Sequence, residues 1–448
     1  MFSFRIICVH LCSSVVPFSF IGDAMLDIRY IRENPDLVKE GARKKRIPVD
    51  IDRLLEVDDE RRRILQESET LKAEKNRASQ EIAALKGPEK TEAIARMKRV
   101  SEQVKALEER LETVQEEFES LMLRVPNPPD DDVPEGADDT ENVEIRRWGE
   151  IPRFDFAPRD HVELGELLDI IDIPRGVKLA GARTYFLKNE GVLLEYAVLM
   201  YALNRIIGKG FSPMIVPHIV KDIAMIGTAY FPGGEEQAYT CERDRLYLIG
   251  TSEVPVTSYH YDEILDERNL PLHYCGISPC YRREAGTYGK DTKGLYRIHQ
   301  FQKIEQVVFC AADPGVSAAE HEFITANSEE LVRSLGLPHR VVIVCTGDLG
   351  QPQKRKYDIE CWMPSRGGWG ETHSSSKFFD FQARRLKTRY RDSGGTIRFC
   401  HTLNNTYVAT PRILISLLEC NQKKDGSVVV PEALRSYMGG RELIEPKK

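Results

Sequence analysis

A chain of 448 residues, 41% hydrophobic and 30% charged, is long enough for two or three domains with real cores and has the composition of a soluble globular protein. Its 63 Lys and Arg against 70 Asp and Glu leave a net charge of −7, which excludes a protein that coats nucleic acid nonspecifically. It does not exclude a local basic face that grips RNA.

The chain opens with an apolar stretch, Phe2 to Ile21, carrying Arg5, His10, several serines and a late Pro17. Residues 1–24 read first as a dispensable extension ahead of Met25, with a targeting segment as the second reading. Asn34-Pro35 has the composition of a helix N-cap followed by proline at the first position, so a short helix is expected through Glu40. Apolar residues at 3/4 spacing then predict one helix over 51–86, through Leu54, Val57, Ile64, Leu71, Ala78 and Leu85. A second runs over 89–123, through Ile94, Val100, Val104, Val114, Phe118 and Leu121, and Gly87-Pro88 breaks the two apart. At roughly 1.5 Å per residue they make an antiparallel hairpin about 50 Å long. Residues 53–124 hold 15 basic and 17 acidic side chains, so an RNA contact has to use a subset such as Arg61, Arg62, Arg63, Lys72, Lys75 and Arg77. Periodicity alone favours a spacer or oligomerisation coiled coil.

Pro126 to Thr140 is rich in Pro and Asp without an apolar period and reads as part of a linker over 126–150. From 151 to 448, short β-rich runs (Arg245–Ile249, Gln306–Cys310, Val341–Cys345) mix with amphipathic helices (Leu193–Ile207, Ala318–Leu335). Without regular βαβ alternation the fold class is α+β: a helical hairpin followed by an antiparallel sheet flanked by helices. The ten cysteines lack a C-x-x-C, Cys275 and Cys280 are too isolated to specify zinc, and free thiols in a reducing cytosol are expected.

Neither a G-x-x-x-x-G-K-[ST] loop nor a G-x-G-x-x-G turn is present, so a nucleotide would have its phosphates met by fixed arginines and a divalent metal. The residues suited to that are in Cys280 to Glu305, where Arg282 and Glu284 close a predicted strand and Phe301 and Glu305 lie on the next. This stretch resembles motif 2 of class II aminoacyl-tRNA synthetases, in the form found in seryl-tRNA synthetases. The resemblance implies that Arg282 bridges the amino acid carboxylate and the α-phosphate, that Glu284 accepts from the adenine amino group, and that Phe301 and Ile298 line the nucleotide. Arg283, where the family usually has Ser or Ala, is counted among the ATP-binding residues, with pointing outward or adding an RNA contact as the other readings. Asn404 to Arg412 followed by Ile413–Glu419 resembles motif 3, with Arg412 at the γ-phosphate; an arginine at a helix N-terminus is otherwise unfavourable without an anion. Gly370 to Ser374 resembles the Glu-x-x-Ser segment that holds Mg²⁺, so Glu371 and Ser374 are the expected metal ligands. Thr372 and His373 lie among the expected ATP-binding residues, with no catalytic part for His373.

By the same resemblance, Thr251, Ser252 and Glu253 surround the substrate α-amino group, while Glu305, Thr406 and Asn404, with Arg282, complete a serine site. Gly210 to Pro217 resembles motif 1 at a dimer interface, and the loop Gly286–Gly294, with Lys290 and Lys293, is expected near the acceptor end of tRNA. The N-terminal hairpin, over 25–125, stands where the family carries its tRNA-gripping arm. The implied protein is a cytoplasmic homodimer without stable membrane association that joins L-serine to tRNA(Ser) with ATP and Mg²⁺. Arg282, Arg412 and Glu371 are its expected catalytic residues, and tRNA(Sec) stays open as a further acceptor. A serine-activating ligase with a non-tRNA acceptor, and a noncatalytic coiled-coil protein, are the alternatives from other classes.

Overall fold

The computed structural model describes residues 26–286 and 293–447, so the N-terminal extension and Lys290 lie outside the described residues. The chain divides into two compact units, one of Asp52–Leu123 and one combining residues 26–51 with 124–447.

The smaller unit is the hairpin. Its helices span Ile51–Ala84 (α3) and Pro88–Met122 (α4), with Gly87 at φ +65° in the break, where only glycine sits without strain. Pairs across the seam run in opposite directions along the two helices: Arg53 with Glu117 (2.8 Å), Glu60 with Arg110 and Glu74 with Arg96. Exposed pairs of this kind contribute about 0.2–1 kcal/mol each and set register more than stability. Val104, Val114 and Phe118 are buried on the apolar stripe, but Ile94, expected there, is 52% exposed. Arg61 is also not a free surface cation: it pairs with Asp58 at 3.1 Å and covers the Phe118 ring at 4.3 Å.

Ahead of the hairpin, the helix expected after Asn34-Pro35 is present and runs on to Lys44 (α2, Pro35–Lys44), and a further short helix, Ile28–Glu33 (α1), precedes it. Asn34 does not use its side chain as an N-cap; its Nδ2 donates back to the Tyr30 carbonyl and closes α1.

In the larger unit an eight-stranded sheet forms from β1 (Val143–Trp148), β2 (Ser212–Ile215), β3 (Leu272–Tyr281), β4 (Gln300–Cys310), β5 (His339–Ile343), β6 (Arg355–Met363), β7 (Gly368–Phe379) and β8 (His401–Ala409). The order is β1-β5-β6-β7-β8-β4-β3-β2, and the pairings are antiparallel except for the edge pair β2 and β3. All nine residues of β8 are buried, as befits a strand covered on both faces. Further helices are His161–Leu167 (α5), Asn189–Gly208 (α6), Pro314–Ser334 (α7) and Thr410–Cys420 (α8), and α7 packs across β7 and β8.

The segment expected as a linker is not free. Val125 and Asn127 are buried, Asn127 Nδ2 donates to the Phe378 carbonyl at 2.7 Å, and residues 143–148 form an edge strand of the sheet. Asp130 pairs with Lys377 at 2.6 Å, so part of the acidic run is tied to the sheet.

Candidate active site

A cleft opens between the β3–β4 connection, β7 and the start of α8. Its first half is rich in guanidinium groups. Arg282 follows the last residue of β3; its Nε donates to the Gly250 carbonyl at 3.1 Å and its guanidinium stands 5.3 Å from the Phe301 ring centre. Glu284 sits at φ +52°, a conformation costly for a residue with a Cβ, and its Oε2 accepts from Arg297 at 3.3 Å. Pro411 occupies the first turn of α8 without the amide that a helix start leaves unpaired, and Arg412 follows it. Arg412 Nη1 lies 3.2 Å from Glu371 Oε2, its Nε donates to the Tyr296 carbonyl at 3.2 Å, and its guanidinium stacks 4.5 Å from the Tyr296 ring.

Glu371 and Ser374 both line this cleft although they are three residues apart on β7, a spacing that puts side chains on opposite faces of a regular strand. A β-bulge resolves it. Ile359 pairs with His373 and Glu360 with Glu371, so Thr372 is the extra residue. A second bulge on β8 leaves Tyr407 unopposed and brings Thr406 and Ala409 to the same cleft. Burial would raise the Glu371 carboxyl, but Arg412, then Lys356 and Arg282, outweigh it and hold the group below the usual carboxylate range.

The second half of the cleft is lined by buried carboxylates. Glu253 accepts from Gln382 Nε2 at 2.9 Å and from the Tyr230 hydroxyl at 3.0 Å. Glu305 pairs with the Lys303 ammonium, which also donates to Thr251 Oγ1 at 2.5 Å, and accepts from Thr406 Oγ1 at 3.3 Å. Burial, then the nearby Glu305 charge, pushes the Glu253 carboxyl up to about 7, with Gln382 and Lys303 opposing. Two buried carboxylates thus lie beside one buried ammonium, and the Arg282 guanidinium also lines the cavity. Asn404, Thr406, Ser374 and Arg282 line the same half, and the last three join it to the first.

Not every expected residue faces the cleft. Arg283 is exposed and lines neither half. Ser252 turns away to donate to the Gly276 carbonyl at 3.0 Å. His373 lies on the opposite face of β7, fully buried, with its imidazole pushed down to about 3 by burial and by His339. Ile298 precedes β4 instead of lying on it, yet lines the cleft. Thr251 acts on the site through Lys303.

Lys303, Tyr230, Gln382 and Lys356 are members of the site to which the sequence reading gave no role; Lys303, two residues before Glu305 on a predicted strand, and Gln382, in a stretch 381–385 that resembles the family, carried a signal. Lys356 meets Asp358 at 2.9 Å beneath Glu371, and burial raises Asp358 above the ordinary range despite that partner. The loop 350–353 along the carboxylate-rich half is held from far away in the chain. Lys45, 3% exposed, donates to the carbonyls of Gly350 (3.0 Å), Gln351 (3.2 Å) and Gln353, and Asn127 Nδ2 donates to that of Pro352 at 3.1 Å.

Residues 239–421 match the model for the tRNA synthetase class II core domain (G, H, P, S and T), and residues 25–129 that for the seryl-tRNA synthetase N-terminal domain. A serine–tRNA ligase of Rubrobacter xylanophilus is 44% identical over 95% of this chain and 100% of its own, and one of Deinococcus radiodurans is 44% identical over 94% and 99%. Among solved structures, the seryl-tRNA synthetase of Pyrococcus horikoshii complexed with ATP aligns with a TM-score of 0.88 at 40% identity, covering 95% of this chain and 100% of that one.

Proposed function

The chain belongs to the seryl-tRNA synthetase family, and we propose that its cleft activates L-serine with ATP in the guanidinium-rich half and transfers the seryl group to tRNA(Ser). The observation that carries this reading is the division of one cleft into an anion-seeking half and a cation-seeking half, with Arg282 between them.

Serine enters with its ammonium toward Glu253 and its hydroxyl toward Glu305 and Thr406. A pocket whose buried acceptors need that hydroxyl and ammonium leaves them unpaired with any analogue lacking one, which is the strongest basis for discrimination. ATP lies with its adenine between Phe301 and the Arg412 side, its amino group at Glu284 and its triphosphate toward Arg282 and Arg412. A serine carboxylate oxygen then attacks the α-phosphorus and pyrophosphate leaves. Arg282 holds both reacting groups and stabilises charge gathering on the phosphoryl oxygens; Arg412 meets the leaving end. A terminal ribose hydroxyl of the tRNA next takes the seryl group and AMP departs. No side-chain nucleophile is used.

The hard oxygen donors of Glu371 and Ser374, brought to one face by the bulge at Thr372, suit Mg²⁺. Bound there with phosphate oxygens, the ion would supply charge neutralisation. The match of residues 25–129 to the N-terminal model supports α3 and α4 as the tRNA-gripping arm.

A homodimer is supported by α6, the one described helix long and apolar enough to cross a membrane. Its buried face, Leu194, Ala197, Val198, Ala202 and Ile206, belongs to the core, while Tyr196, Met200 and Ile207 stay exposed together with Ile215 of the edge strand β2, at 85%. A second copy covering that apolar surface accounts for it. The eight described cysteines are free, which supports a reducing cytoplasm. Serine-dependent exchange of pyrophosphate into ATP tests activation, and charging of tRNA(Ser), then tRNA(Sec), tests the acceptor. Exchange without charging would move the reading to a ligase with another acceptor.

A further inference from the structure

Two turns beyond Arg412 on the same helix, Glu419 is completely buried and accepts four hydrogen bonds. Its Oε1 accepts from the His161 amide (3.0 Å), His161 Nδ1 (2.7 Å) and the Ser365 hydroxyl (2.8 Å), and its Oε2 from the Ser365 amide (2.9 Å). A carboxylate with this many donors is held in one place. The other ring nitrogen of His161, Nε2, accepts the Leu295 amide at 3.0 Å. Because that partner is a backbone N–H, Nε2 carries no proton, and the proton on Nδ1 faces Glu419.

One arm of this hub ends on the wall of the guanidinium-rich half, at Leu295 and Tyr296, and the other on Arg366, which stands against Tyr296. Leu295 is followed by Tyr296, whose carbonyl accepts from Arg412. Ser365 is followed by Arg366, whose guanidinium stands 4.3 Å from the Tyr296 ring, while that of Arg412 stands 4.5 Å from it. The ring is therefore held between two guanidinium groups, one anchored at the start of α8 and the other next to a residue tied to its later turn. His161 lies on α5, outside the stretches matched by either family model.

We propose that Glu419, acting through His161 and Ser365, is a positioning residue that sets Tyr296, Arg366 and Arg412 for ATP while leaving the serine half untouched. This rests on the reading of that half as the ATP site. A structural brace would lower stability without favouring one substrate; a positioning hub splits them.

The test measures ATP binding by titration calorimetry, and KM for ATP and for serine in pyrophosphate exchange, on the full chain. His161→Leu removes both ring contacts, and His161→Gln retains an acceptor for Leu295 and a donor for Glu419. Because His161 is buried, Gly294→Ala gives an independent arm. A Cβ there, on a residue at φ +76°, would fall 2.0 Å from His161 Nε2 and disturb the clamp from its outer side. His161→Leu and Gly294→Ala are expected to weaken ATP binding about 10-fold or more, with KM for serine within about 2-fold and recovery in His161→Gln to within about 3-fold, the scale of disturbing the buried hydrogen bonds of the His161 ring. Folded variants that bind ATP like the parent, or lose both substrates equally, would overturn the proposal. Parent protein that binds ATP but shows no serine-dependent exchange would instead defeat the functional reading and leave the hub standing.

Discussion

The two halves of the cleft solve opposite problems. Around Arg282, Arg412 and Glu371 the charges are partly exposed, Arg412 at 19% and Glu371 at 40%, and they compensate one another until a polyanion arrives. Around Glu253 and Glu305 they are out of water, and two carboxylates lie beside the buried Lys303 ammonium, with Arg282 shared between the halves. Arginine keeps its charge through the ordinary pH range, so the first half is charged before its ligand arrives. Buried carboxylates are costly unless paired, so the second is completed only by its ligand's ammonium. On the proposed function, the difference teaches that ATP is met by a preformed field of arginines, and serine by buried carboxylates.

The largest expected effect comes from the residue common to both halves. Arg282→Ala should lower pyrophosphate exchange by about 10²–10³-fold or more, the scale of losing one preorganised donor to developing charge, and near-normal exchange would remove its assigned role. Excising the hairpin from Leu55 to Leu121 should leave both halves working, with exchange within about 2-fold, while tRNA charging falls about 100-fold, the scale of losing several phosphate contacts. Equal loss of both activities would contradict a purely RNA-gripping arm. Glu253→Gln should separate the halves, raising KM for serine about 30- to 100-fold with KM for ATP nearly unchanged, as expected for a charge-assisted bond exchanged for a neutral one.

Titration gives a further contrast. The Glu253 carboxyl is raised to about 7, so below that pH the empty site is protonated and serine binding must expel the proton. KM for serine should therefore rise by roughly 10-fold per pH unit as pH falls below 7, flatten above it, and leave the ATP profile largely unchanged. A flat serine profile between pH 5.5 and 8 would show that Glu253 is ionised before binding. The smallest effect is assigned to Lys45→Met, which strands the carbonyls of the 350–353 loop and should cost about 1–3 kcal/mol of stability by thermal melting. It should also raise KM for serine about 3-fold and spare that for ATP; the reverse pattern would misplace the loop.

Short-range chemistry was legible where residue type alone limits the options. The Gly87-Pro88 break placed the hairpin turn, Pro411-Arg412 placed a helix start with a cation that needs an anion, and Arg282, Glu284, Phe301 and Glu305 marked the core of the cleft. The stripe through Val104, Val114 and Phe118 located a buried seam, although Ile94 on the same period is exposed.

Side-chain direction and distant partners were decided only on folding. Glu371 and Ser374 share a face because of a bulge that no periodic pattern encodes, and the same bulge turns His373 into the core. The acidic segment after Pro126 looked solvated until Lys354, Arg355 and Lys377 supplied its partners. Lys45, His161 and Glu419 reach the cleft only because chain remote in sequence is packed beside it. A linear sequence determines local backbone preference and the chemistry available; which charges leave water together depends on contacts between segments far apart, and that belongs to the tertiary structure.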